Sequence, residues 1–152
     1  VFFLVTLVFV LMPVVSVVLN YSGQDLSDDR SGIAHGEGLF DRLQSRSVVF
    51  TVSDADTFSL WYLSLVERPE RDIAVVASPL LRFEWYAESL KETYGDRIPD
   101  VLTQDIDTDI AAIAALNFEG GEVYSTYTSE GLLKTFQLIQ ADNIYIIAPR
   151  AP

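Results

Sequence analysis

The chain opens on VFFLVTLVFVLMPVVSVVL, residues 1–19, a stretch without a single charge, interrupted only by Thr6, Pro13 and Ser16. At 1.5 Å per residue a helix of this length reaches roughly 28 Å, close to the hydrocarbon thickness of a bilayer. A secretory leader carries a basic start and a small-residue cleavage site, and neither is present. A core helix is rarely this apolar on every face. The segment therefore predicts a transmembrane helix over 1–20, a linker over 21–32 and an α/β domain over 33–150. The twenty residues past the span contain Asp25, Asp28, Asp29 and Glu37, against Arg30 alone as a cation. Cytoplasmic flanks carry excess Lys and Arg, so the domain is expected outside the cytoplasm, anchored in the plasma membrane. The chain starts at Val and stops at Ala151-Pro152, and we read it as the last span and terminal domain of a longer protein.

Charge excludes several function classes. The 152 residues carry a net charge of −12, with a pI of about 4.2. Phosphate backbones need clustered Lys and Arg, so nucleic acid is not an expected partner. Anionic headgroups are excluded on the same ground, which leaves the bilayer as a partner only through residues 1–20. There is no cysteine, so thiolate chemistry is ruled out, and His35 is the only histidine. A histidine-rich zinc site cannot form, and a Ser-His-Asp triad would have to use His35. No G-x-S-x-G or P-loop motif occurs. Neither a cofactor nor a metal is expected.

Beyond residue 20 the pattern alternates. SVVFTV (47–52), DIAVVAS (72–78) and GEVYSTYT (121–128) are strand-length runs. Helical stretches lie at 33–44, 56–67, 82–95 and 107–118. Such alternation predicts a small, mostly parallel three-layer sheet of about four to five strands. TFQLIQ and NIYIIA flank Ala141-Asp142, which predicts an antiparallel hairpin at the C-terminal edge.

Asp54 and Asp56 sit where the first strand gives way to a helix. Either can cap the unpaired N–H groups of that helix and suit its dipole. Strand ends of open α/β sheets are also where ligand crevices form. There the same pair could hold a cation or sugar hydroxyls, as a metal enzyme would need. A buried Arg30 meeting one of them would explain their placement. Phe58, Trp61, Tyr62 and Leu65 recur at helical spacing, which reads as core before it reads as a sugar-stacking platform. Asp105, Asp107 and Asp109 resemble a calcium loop, but Ile110 and Leu116 stand where its glycine and final acid belong. They read as a favourable helix start. His35, in GIAHGEG, reads as a surface or linker residue.

Several of these stretches occur in a telling order: Asn20-Tyr21, Asp29-Arg30-Ser31, Asp54-Ala55-Asp56-Thr57-Phe58-Ser59-Leu60-Trp61-Tyr62-Leu63, Arg71-Asp72-Ile73 and Trp85-Tyr86. Together they resemble a bacterial polytopic membrane family of long-uncharacterised function. That family is similar to protein O-mannosyltransferases and belongs among the GT-C glycosyltransferases. Its pattern reads Asn-Asp-x-Asp-Thr-x-Pro-Leu-Trp-Tyr-Leu; Ser59 stands in place of its proline, and Ser53 and Ala55 replace the family's more usual residues around the aspartates. The resemblance covers roughly residues 10–90. It implies the C-terminal extracytosolic accessory domain of a membrane transferase that uses a lipid-linked sugar donor. Catalysis would reside upstream, so this segment carries no catalytic residue. Asp29, Arg30, Asp54, Asp56, Thr57, Trp61 and Tyr62 are the ligand-binding or structural candidates. The implied partners are the remaining transmembrane core and a glycan or protein acceptor. The alternative is a membrane-anchored α/β module that binds a small polar ligand and has no transferase activity.

Overall fold

The computed structural model describes residues 2–150. The chain divides into two units, Val1–Arg30 and Ser31–Pro152. The first unit is the helix α1 (Phe2–Gln24) followed by a turn in which the Asp29 amide donates to the Leu26 carbonyl. Thr6–Gln24 is long and apolar enough to cross a membrane, and none of that segment is buried. Pro13 lies inside α1.

The second unit begins with α2 (Ser31–Phe40), β1 (Val48–Thr51) and α3 (Asp54–Tyr62). Then come β2 (Ala74–Ala77), α4 (Glu84–Tyr94) and α5 (Ile106–Asn117). It closes with β3 (Val123–Ser125), α6 (Glu130–Thr135), β4 (Phe136–Ala141) and β5 (Ile144–Pro149). The strands form one sheet in the order β2-β1-β3-β5-β4. β1 runs parallel to both β2 and β3, and β5 is antiparallel to β3 and β4. The mostly parallel sheet with an antiparallel C-terminal hairpin is thus the observed architecture.

Strand alternation sorts the core into two layers. Val48, Phe50, Ala74, Val76 and Val123 face α4, α5 and α6, where they meet Leu90, Ile110, Ile113 and Leu132. Val49, Val75 and Tyr124 face the other way, onto Leu39, Phe40, Leu60 and Leu63 of the α2–α3 side. Helices on both faces explain why β1 and β2 are buried at every residue and read as unbroken apolar runs. β2 and β3 flank β1, so the strand order switches sides at β1, and Asp54 and Asp56 follow its carboxyl end.

Three differences from the sequence reading have local causes. After Tyr62, α3 loosens into a π-turn over Leu63–Glu67, with the Arg68 amide reaching back to the Leu63 carbonyl at 2.8 Å. The hairpin turn falls on Asp142-Asn143, one residue later than expected, because Asp142 takes the left-handed conformation with φ 56°. α6 was not foreseen. It is six residues long, and Ser129 starts it by accepting from the Leu132 amide.

Candidate functional site

The exit from β1 is built on a serine. Ser53 takes extended backbone, and its hydroxyl accepts from the Asp56 amide at 3.1 Å. It is the N-cap of α3, and this corrects the expectation that an aspartate caps the helix. Asp54 and Asp56 lie within the first turn, where negative charge suits the helix dipole. Serine is among the strongest N-cap residues.

The two aspartates then part company. Asp54 is exposed. Asp56 is turned inward, its side chain 16% exposed, with Oδ1 2.7 Å from His35 Nε2. His35 is therefore a surface residue with a defined partner, and the contact joins α2 to α3. Beside it the helices touch closely: a Cβ added to Gly36 would stand 2.6 Å from the Ser59 Cβ. The carboxylate fixes the imidazole. The pair acts as a clasp between the two helices. Asp54 and Asp56 belong to the second unit. Asp29 and Arg30 both belong to the first unit.

Thr57 works inward. It is 5% exposed, and its hydroxyl donates to the Ser53 carbonyl at 2.8 Å. The Thr51 hydroxyl lies 2.7 Å from it. One proton order satisfies both contacts: Thr57 donates to the backbone and accepts from Thr51. The first turn of α3 is thereby tied to the end of β1.

Trp61 answers a problem of the sheet. β2 is an edge strand, and its outward backbone groups have no neighbouring strand. Trp61 Nε1 donates to the Val75 carbonyl at 3.2 Å. The Val75 amide donates to the Tyr94 hydroxyl at 3.3 Å, and the Ala77 amide to the Tyr86 hydroxyl at 2.8 Å. Three aromatic side chains thus seal the edge with their polar tips while burying their rings. Burial, first of all, pushes the Tyr86 and Tyr94 phenols above their ordinary range. Tyr62 is exposed, and its hydroxyl donates to Glu67.

The Arg71-Asp72-Ile73 stretch is also accounted for. The Arg71 guanidinium lies 5.0 Å over the Phe40 ring and donates to the Phe40 carbonyl at 3.2 Å and to the Leu43 carbonyl, closing the end of α2. Asp72 takes φ 53°, and its carboxylate binds Arg97 at 2.6 Å. Ile73 is core.

The acidic run before α5 divides in the same way. Asp105 caps the helix, and the Thr108 bonds hold its carboxyl below the usual range. Asp109 is 1% exposed and accepts from the Thr103 amide at 2.7 Å, the Thr103 hydroxyl at 2.8 Å and the Gln104 amide at 2.9 Å. Sequence reasoning gave Asp109 only a helix-start role. Gln104 at φ 66° is the turn that brings those donors round, and no local motif announces it. Among the described residues no three His, Asp or Glu side chains form a metal-holding group.

Hollows mark the surface. An open groove of about 620 Å³ runs along α4 past Glu84, Glu88, Lys91, Glu92 and Asp100. A second, of about 440 Å³, lies at Arg82, Asp105 and Asp107. A third, of about 250 Å³, is lined by Trp61, Leu65, Leu80, Trp85 and Tyr86 beside the sealed edge. Of the foreseen residues, only Trp61 lines one of these three.

No curated protein and no solved structure matches the chain. A family model described as TMEM260-associated domain 2 matches residues 33–108, which run from α2 to the first turn of α5. The match takes in His35, Asp54, Asp56, Thr57, Trp61 and Tyr62, while Asp29 and Arg30 precede it. A family of this description and the long apolar helix α1 both point to membrane association. The match spans half of the 152 residues, and the chain belongs to the TMEM260-associated domain 2 family.

Proposed function

We propose that residues 31–150 are an accessory domain of an integral-membrane glycosyltransferase of the GT-C type. In this reading α1 is its last span, the domain lies on the extracytosolic side, and a lipid-linked sugar is the donor. Catalysis resides elsewhere in the longer protein. The domain braces the transmembrane core and presents a glycan or protein acceptor.

One observation carries the reading. The motif residues of this unit that resemble the transferase-like family are engaged in holding α2 and α3 on the sheet: Thr57 at the exit of β1, Trp61 on β2, and Arg71 on α2. A motif used in this way suits a domain whose task is to keep a fixed shape. The apolar α1 and the acid-rich flank after it support the anchoring and the side.

The test is sugar transfer by the full-length protein from a polyprenyl-phosphate sugar in proteoliposomes. Removal of residues 31–150 is expected to leave insertion intact and to reduce transfer. Undiminished transfer by the shortened protein would sink the accessory role. Absence of transfer from any polyprenyl-phosphate sugar would sink the transferase reading.

A further inference from the structure

The two edges of the sheet are treated differently. β2 is sealed by Trp61, Tyr86 and Tyr94, whereas β4 is the last strand on the other side. The register of the hairpin says which groups it leaves open. Ala141 and Ile144 close a two-residue loop, so Ala141, Ile139 and Gln137 exchange bonds with β5. Phe136, Leu138 and Gln140 therefore turn their backbone groups outward. The Phe136 amide is already used, donating to the Leu132 carbonyl. Among the described residues no backbone bond reaches the remaining outward groups.

This edge lacks the features that discourage pairing. FQLIQA contains no charge and no proline, and Ile139 is 46% exposed. Natural edges carry Lys, Pro or a bulge for protection. The charge around it is balanced as well. In a chain of net charge −12, residues 130–150 hold two acids, Glu130 and Asp142, and two bases, Lys134 and Arg150.

We propose that β4 pairs with β4 of a second copy of this chain, antiparallel and centred on Leu138, joining two sheets into one. Leu138 faces its own counterpart, and the two exchange amide–carbonyl bonds. Each Gln140 amide donates to the Phe136 carbonyl of the other copy. Gln137 comes opposite Ile139, and the two exposed Ile139 side chains become diagonal neighbours. Lys134, in α6 just before β4, and Asp142, in the turn just after it, stand at opposite ends of the strand, so antiparallel pairing brings the cation of each copy near the anion of the other; both are exposed, and within one chain they pair with Glu130 and Arg42. No like charges face each other. A second copy is the occupant because the strand is complementary to itself in pattern and in charge. The pairing is isologous and closes as a dimer. It goes beyond the accessory role and does not depend on it.

The full chain in detergent micelles tests this by sedimentation and by cross-linking. The wild type is expected to sediment as a dimer. Gln137→Lys with Ile139→Lys places ammonium groups opposite each other at two exposed positions. It is expected to weaken dimerisation about tenfold or more with an unchanged far-UV spectrum. The chain has no cysteine, so single substitutions report the register. Gln137→Cys mixed with Ile139→Cys should form a disulfide across a non-hydrogen-bonded pair faster than either variant alone. A monomeric wild type would overturn the proposal and leave the edge to a strand from another protein. A dimer indifferent to the paired lysines, or cross-linking without the mixed preference, would overturn it too.

Discussion

At the scale of single residues, Asp109 is the side chain on which most depends. One buried carboxylate accepts three bonds from Thr103 and Gln104. Removing it leaves two amides and a hydroxyl without an acceptor, and such orphans cost about 1–3 kcal/mol each when buried. Asp109→Ala is expected to lose about 3 kcal/mol in urea unfolding, with Asp107→Ala near zero as the control. Burial also makes a pH prediction. The phenols of Tyr86, Tyr94, Tyr124 and Tyr127 are all raised above 10.0, with desolvation the first cause in each. They stay neutral in the folded chain and ionise near their ordinary value once unfolded. Above that pH the unfolded chain has released protons that the folded chain keeps, so stability falls as pH rises. Absorbance at 295 nm should show the three buried ones, Tyr86, Tyr94 and Tyr124, titrating only together with unfolding. Their gradual titration in a chain with native circular dichroism would contradict their burial.

At the scale of elements, the α2–α3 contact makes opposite predictions for two glycines on one helix. A methyl at Gly36 would meet the Ser59 Cβ at 2.6 Å, whereas Gly38 has nothing within 4 Å. Alanine favours a helix interior over glycine by about 1 kcal/mol, and overpacking costs about 1–3 kcal/mol. Gly38→Ala is therefore expected to raise the melting temperature and Gly36→Ala to lower it. Equal effects of the two would mean that the helices do not pack as described. The sealed edge of β2 has a comparable test. Tyr86→Phe keeps the ring and removes the acceptor of the Ala77 amide, and a loss of about 1 kcal/mol is expected. These elements were readable in different degrees. β1 and β2 declared themselves as β-branched runs, because a strand covered on both faces has no polar side to show. α6 did not, because six residues are too few to display a helical period.

At the scale of the whole molecule, an apolar helix and a compact acidic unit are joined near Arg30. The full chain is expected to stay with membranes through alkaline carbonate washing, and removal of residues 2–24 is expected to release it. Release of the full chain by carbonate would contradict a spanning role for α1. The layered α/β class, the order in which the strands appear, the C-terminal hairpin and the apolar helix could be read from the residues alone. All of these follow from local periodicity, which each segment carries within itself. What the marked residues do came from the fold. Ser53 rather than Asp54 caps α3, Asp56 meets His35 across 21 positions, Trp61 closes the edge of β2, and Asp109 is buried. Each role depends on a partner brought near by the path of the chain, and sequence spacing holds no record of distances between segments that meet only in the fold.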